Sequence, residues 1–287
     1  MSPSSPGGPR VAVSVAEPST VTGGSLDATV VVSGEMDEKV RGLRVELLYV
    51  NEYRYERRET DHHSGSSSGS STTRTIVETT TEDVVVQTIN YPLDTTPSIV
   101  GERAVQLWVP EDAPPTAGPL VRWKVRAVID RKLGGDVTAE ARVVVASTRE
   151  SGAARAAAAP DVDEQLDITL SDRHVRPGDT VSGVLVVKPG KTVKFTDVRV
   201  EIQSHRRDQD GLHDDETIAG LAVSGKTEVE GGSRQEFPFE LQVPLDAMPS
   251  FTASRNEVHY DFVASGARRL RTDYNATAPL HVYGGDA

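Results

Sequence analysis

Cysteine is absent from the 287 residues. That excludes disulfide scaffolds, thiolate zinc sites, iron–sulfur clusters and cysteine nucleophiles together. Aromatic residues are scarce at 5%, and basic residues are outnumbered, 31 against 43 acidic, giving a net charge of −12. The resulting field repels phosphate, so wholesale binding to nucleic acid or to an anionic membrane is not expected outside a local basic patch. No window approaches the roughly 18 consecutive apolar residues of a membrane span. Met1 to Arg10 is built of Ser, Pro and Gly without the apolar stretch of a secretory signal, and the expectation is a cytoplasmic protein with a disordered segment over 1–10.

Alternation with period two dominates what is present. Leu26, Ala28, Val30 and Val32, then Leu43, Val45, Leu47 and Tyr49, then Val121, Trp123, Val125, Ala127 and Ile129, and later Val258, Tyr260, Phe262 and Ala264 each read as one buried face of a strand. No long segment between Arg10 and Val145 has helical spacing, so the chain reads as all-β.

The two halves also match each other. At an offset of 155, Gly23, Leu26, Val30 and Val32 fall on Gly178, Val181, Leu185 and Val187, and Leu43-Arg44-Val45-Glu46-Leu47 falls on Val198-Arg199-Val200-Glu201-Ile202. Apolar positions coincide easily in β proteins; the shared outward Arg and Glu do not. At an offset of 134, Val109-Pro110, Asp112-Ala113 and Pro115 fall on Val243-Pro244, Asp246-Ala247 and Pro249. This predicts two copies of one sandwich, over 11–146 and 166–284, joined by a linker over 147–165. Ala153 to Ala159 in that linker reads equally as a short helix or a flexible connector. Ser64 to Thr73 is entirely Gly, Ser and Thr, and is expected to be a mobile excursion, part of a Ser-rich insertion over 60–81 in the first sandwich.

The duplicated layout, with Phe237-Pro238-Phe239-Glu240-Leu241-Gln242-Val243-Pro244 followed by Pro249-Ser250-Phe251 and the Tyr260 strand, resembles the arrestin-like family. Val105-Gln106-Leu107-Trp108-Val109-Pro110, Pro114-Pro115 and Trp123 are the weaker version in the first half. The resemblance covers nearly the whole chain and implies two tandem immunoglobulin-like or arrestin-like antiparallel β-sandwich lobes. A composition rich in Ala, Val, Arg and Asp suggests a bacterial source, and the layout is similar to the sporulation-control branch of the family. The implied role is a non-catalytic scaffold or adaptor binding a protein partner in bacterial regulation, sporulation or development, on its concave faces or exposed edge strands. A clathrin-box-like tail, a PPxY motif and a counterpart of the phosphate-sensing buried charged core were not found, so receptor desensitisation is not implied.

His62 and His63 beside the Ser-rich tract are adjacent imidazoles, but a metal needs three or four supported ligands, and no metal or cofactor is expected. Asp208-Gln209-Asp210-Gly211 followed by His213-Asp214-Asp215-Glu216 departs from a calcium loop: the glycine stands fourth rather than sixth and Ala219 occupies the twelfth position. An acidic hairpin tip is the expectation. Gly65 to Gly69 satisfies Gly-x-Ser-x-Gly only as composition, and no phosphate loop or His-Glu-x-x-His is present, so no enzyme is expected. An enzyme would instead show a pocket of converging carboxylates near His205, His213 or His259.

The candidate partner-binding residues are basic hairpin tips: Arg131 and Lys132 fall on Arg268 and Arg269, with Arg271 following. Guanidinium forks there suit an acidic or phosphorylated partner, while the same charges also keep sheet edges soluble. Arg54, Arg57 and Arg58, alternating with Tyr53 and Tyr55, read as an edge-strand surface first and a docking surface second. Trp108, Trp123, Phe237, Phe239, Phe251, Tyr260 and Phe262 are expected in the core. The alternative function, a carbohydrate- or envelope-binding module, requires such rings exposed on one face.

Overall fold

A computed structural model describes residues 8–36, 38–62, 71–92, 99–152, 159, 161–162 and 165–284. Apart from two single-turn 3₁₀ segments, Glu150–Gly152 and Gln209–Gly211, its regular structure is strand. The all-β expectation is met. Met1 to Pro6, Gly65 to Gly69 and the alanine tract at 153–158 lie outside the described residues.

The first half contains β1 (Arg10–Val15), β2 (Ser19–Val21), β3 (Ser25–Ser33), β4 (Val40–His62), β5 (Ser71–Pro92), β6 (Gly101–Trp108), β7 (Val121–Arg131) and β8 (Val137–Ala146). They form a three-stranded sheet, β1-β3-β6, and a five-stranded sheet, β2-β8-β7-β4-β5. The second half contains β9 (Asp161–Val162), β10 (Leu166–Leu170), β11 (His174–Val175), β12 (Thr180–Val187), β13 (Val193–Phe195), β14 (Asp197–Asp208), β15 (His213–Ser224), β16 (Thr227–Val229), β17 (Gln235–Gln242), β18 (Phe251–Thr252), β19 (Asn256–Ala267) and β20 (Tyr274–Val282). Its main sheets run β10-β12-β17 and β11-β20-β19-β14-β15, the latter extended by β18 on β19 and β9 on β20, and β13 pairs with β16. The two strand orders are one order written twice, down to the parallel pair, β2 with β8 and β11 with β20.

Repetition extends to individual hydrogen bonds. Trp123 Nε1–H donates to the carbonyl of Pro114 at 2.9 Å, and the Tyr260 hydroxyl to that of Met248 at 2.9 Å. Each buried ring finds a partner for its polar end in the carbonyl just before Pro115 or Pro249. Burial pushes the Tyr260 hydroxyl up to about 12. The Val145 N–H donates to the Thr116 hydroxyl and the Val282 N–H to that of Ser250, at 2.9 and 3.0 Å.

The period-two faces are the core. Leu26, Ala28, Val30 and Val32 of β3, and Leu43, Val45 and Leu47 of β4, are buried, as are Val181, Leu185 and Val187 of β12 and Val198, Val200 and Ile202 of β14. Of the seven aromatics expected inside, six are buried; Trp108 is 56% exposed. It follows Leu107, which is 0% exposed, and pleating turns the next side chain outward.

The compact units divide differently from the expected boundaries. One takes the residues up to Glu52 with Thr81–Ser147; the other takes Tyr53–Thr80 with Thr148 onward. The stretch expected to be an insertion within the first sandwich is strand from Ser71, as part of β5, and the distal half of β4 and β5 clusters with the second unit. No helix among the described residues is long and apolar enough to cross a membrane.

Candidate functional site

The expected partner-binding residues occupy two hairpin tips of matching construction. In the β7–β8 hairpin, the N–H of Arg131 donates to Asp136 Oδ1 at 2.9 Å; in the β19–β20 hairpin, the N–H of Arg268 donates to Asp273 Oδ1 at 2.9 Å. An aspartate five residues on pins each turn through a backbone donor that the ladder leaves over. The two hexapeptides, Arg-Lys-Leu-Gly-Gly-Asp and Arg-Arg-Leu-Arg-Thr-Asp, share Arg, a second base, Leu and Asp at fixed positions. Sequence reasoning aligned the first three and missed the aspartate, although its spacing was visible.

Lys132, Arg269 and Arg271 are exposed, while Arg131 and Arg268 are half-buried. Arg268 lies over the Tyr274 ring at 3.8 Å and donates to the Thr272 carbonyl, so it braces the turn. Next to the cations stand Leu133, 65% exposed, directly after Lys132, and Leu270, 95% exposed, between Arg269 and Arg271. Leu270 also has φ 58°, left-handed backbone that leucine rarely adopts. The first tip places Gly134 (φ 96°) and Gly135 (φ 80°) in that region instead. Beside the first tip, a groove of about 490 Å³ is lined by Arg41, Arg44, Tyr91, Asp130 and Arg131. Burial pushes the Asp130 carboxyl up, against the opposite pull of Arg44.

Arg54 and Arg57, on the stretch of β4 read as an edge-strand surface, are both tied into ion pairs. The ladder that joins β4 to β7 runs from Val40 to Asn51, so Arg54 and Arg57 lie on the part of β4 beyond it. Arg54 pairs with Asp208 and Asp214, each at 2.7 Å, and Arg57 with Glu78 at 3.0 Å. Burial works against the Arg54 charge, but hydrogen bonds to the two aspartates outweigh it and hold the group above its ordinary value. Asp208, read from sequence as part of an acidic tip, is the buried acceptor of this pair, while Gln209–Gly211 makes the turn between β14 and β15.

Buried charge was not found from sequence, yet the first unit contains it. Glu46, 5% exposed, is held by Arg44 at 2.6 Å and Arg126 at 2.7 Å, and Arg126 continues to Asp83 at 2.6 Å. The second unit repeats the i,i+2 pair as Arg199–Glu201 at 3.1 Å. A cleft of about 270 Å³ has Ser204, Glu216, Asp246 and Tyr260 in its lining, but His205, His213 and His259 do not line it.

Histidines meet elsewhere. His205 on β14 stands opposite His259 on β19, with Asp261 two residues further along the same face of β19. One ligand atom from each of the three lies within 4.8 Å of the others.

Residues 159–260 match the family model Spo0M, described as SpoOM protein. The match begins before β10 and ends within β19, so it takes in most of the second sandwich. It falls in the sporulation-control branch that the sequence resembles. The solved structure of Spo0M, sporulation control protein, from Bacillus subtilis is similar at 22% identity and a TM-score of 0.37, over 45% of this chain and 50% of that one. This chain therefore spans about half the length of that relative. No curated protein matches the chain.

Proposed function

We propose that the chain is a non-catalytic cytoplasmic scaffold or adaptor that grips a protein partner through its two basic tips, in bacterial regulation of sporulation or development. The observation that carries this reading is the duplicated tip: an exposed leucine directly after Arg131 and Lys132 in one unit and among Arg268, Arg269 and Arg271 in the other, on turns pinned by Asp136 and Asp273. Solubility alone calls for charge at a turn; it does not call for leucine in water at the same place twice. Cations steer an acidic or phosphorylated segment toward an otherwise anionic chain, and the leucine adds apolar contact once the segment is seated. The match to the sporulation-control family model supports the regulatory setting.

The glycan-binding alternative loses its platform, because the rings it needs are in the core apart from Trp108.

The test is quantitative co-purification from the native organism with three forms: wild type, the charge reversal Arg131→Glu/Lys132→Glu/Arg268→Glu/Arg269→Glu, and Leu133→Ser/Leu270→Ser. A partner retained by wild type and lost from both variants is the expected result. Equal retention by all three overturns the tips as the grip, and turnover of a substrate by the purified protein overturns the non-catalytic reading.

A further inference from the structure

Asp215 and Asp261 approach the His205 ring from its two nitrogens. Nδ1 lies 2.7 Å from Asp215 Oδ1, while Nε2 lies 3.3 Å from Asp261 Oδ2. Donation from Nδ1–H to Asp215 places the lone pair of a neutral imidazole on Nε2. That atom is buried and makes no hydrogen bond. A lone pair then faces a carboxylate oxygen across 3.3 Å, an arrangement that repels until a positive centre sits between them.

The surroundings favour a metal ion over a proton. A proton needs only the pair, whereas a third donor converges here: the His259 ring stacks on His205 with centroids 4.9 Å apart, and donor atoms of His205, His259 and Asp261 fall within 4.8 Å of one another. Tetrahedral bonds of about 2.0–2.1 Å set ligand atoms roughly 3.3 Å apart, within reach of small side-chain rotations. The scaffold is rigid, since His205 and His259 are cross-strand neighbours on two central strands. The Asp215–His205 contact supplies the outer carboxylate that orients a ligating imidazole and raises its basicity.

We propose that His205, His259 and Asp261 form a binding site for a divalent transition-metal ion of the zinc class, with Asp215 as the positioning residue for His205. Two imidazoles and a carboxylate, without sulfur, suit such an ion rather than a soft monovalent one. Three protein ligands leave a fourth position for water or a group from outside the chain. The inference is independent of the adaptor reading.

The experiment titrates Zn²⁺ into the full chain, without an affinity tag containing histidine and after chelator treatment, by calorimetry, with Co²⁺ as an optical probe of coordination. One Zn²⁺ per chain is expected, unaffected by His62→Ala/His63→Ala or by His213→Ala, lost in His205→Gln and His259→Gln, and weakened 10- to 100-fold in Asp215→Asn. Saturating Zn²⁺ also raises the thermal midpoint of wild type. Should the histidine variants misfold by circular dichroism, Asp261→Asn keeps the shape and must lose the Co²⁺ spectrum. Absence of binding by wild type overturns the proposal, as does binding that survives His205→Gln or vanishes with His62 and His63.

Discussion

Arg54 and Asp208, 154 residues apart in the chain, are joined twice: Arg54 Nε donates to Asp208 Oδ2 at 2.7 Å and the Arg54 backbone N–H to Oδ1 at 3.2 Å. The Asp208 side chain is 0% exposed, and Arg206 provides its other contact at 2.9 Å. A buried carboxylate that loses a cation keeps its desolvation cost without the compensating attraction. Arg54→Met is therefore expected to cost about 3 kcal/mol by urea denaturation, with little change between 0.1 and 1 M salt, because buried pairs are poorly screened. The double variant Arg54→Met/Asp208→Asn should cost less than the two single losses added together. Additive losses would show that the pair does not act as a unit.

Asp172 sets part of the acid sensitivity. It accepts the His174 backbone N–H at 2.9 Å and an Arg149 guanidinium N–H at 2.6 Å. Burial alone raises its pKa, but these bonds outweigh burial and hold the carboxyl below its ordinary range. A carboxyl depressed in the folded state contributes stability above its unfolded value, about 4, and loses that contribution as pH falls through the folded value. Asp172→Asn should be less stable than wild type at pH 7 and converge with it below about pH 3. A difference that stays constant from pH 7 to 2.5 would assign the effect to packing instead.

Gly183 is required by an aromatic neighbour. It stands opposite Phe239 across β12 and β17, and a Cβ added there meets the Thr169 carbonyl oxygen at 2.4 Å and the Phe239 ring at 2.6 Å. Phe239 in turn stacks on Phe262 with centroids 5.0 Å apart, so it has nowhere to retreat. Gly183→Ala should cost about 2 kcal/mol, the scale of overpacking a filled core, measured by chemical denaturation. Adding Phe239→Leu should recover part of the loss; if it only adds a further loss, the clash with the carbonyl dominates.

The legible parts were those that depend on local period. Arg44 and Glu46 fall on Arg199 and Glu201 because residues two apart share a face, and both pairs close as ion pairs at 2.6 and 3.1 Å. The core expectation for Trp108 breaks that rule: the phase of Val105 and Leu107 puts it outside, where it is found. Contacts fixed by strand register were not legible. His205 reaches His259 only through the pairing of β14 with β19, and Asp208 meets Arg54 only because the distal half of β4 clusters with the second unit. No spacing within a single segment encodes either.

Leu270 separates stability from recognition. Its φ of 58° strains a side chain that is 95% exposed and so returns little packing to the fold. Left-handed backbone costs a non-glycine residue roughly 1–2 kcal/mol, partly offset by the greater freedom glycine has when unfolded. Leu270→Gly should accordingly leave stability unchanged or raise it by up to about 1 kcal/mol in urea denaturation. If the leucine is there to be bound, the same variant loses partner retention as completely as Leu270→Ser, which removes the apolar group and leaves the strain. A Leu270→Gly protein that is markedly less stable would show that the leucine serves the fold. One that is equally stable and retains its partner would remove Leu270 from the grip.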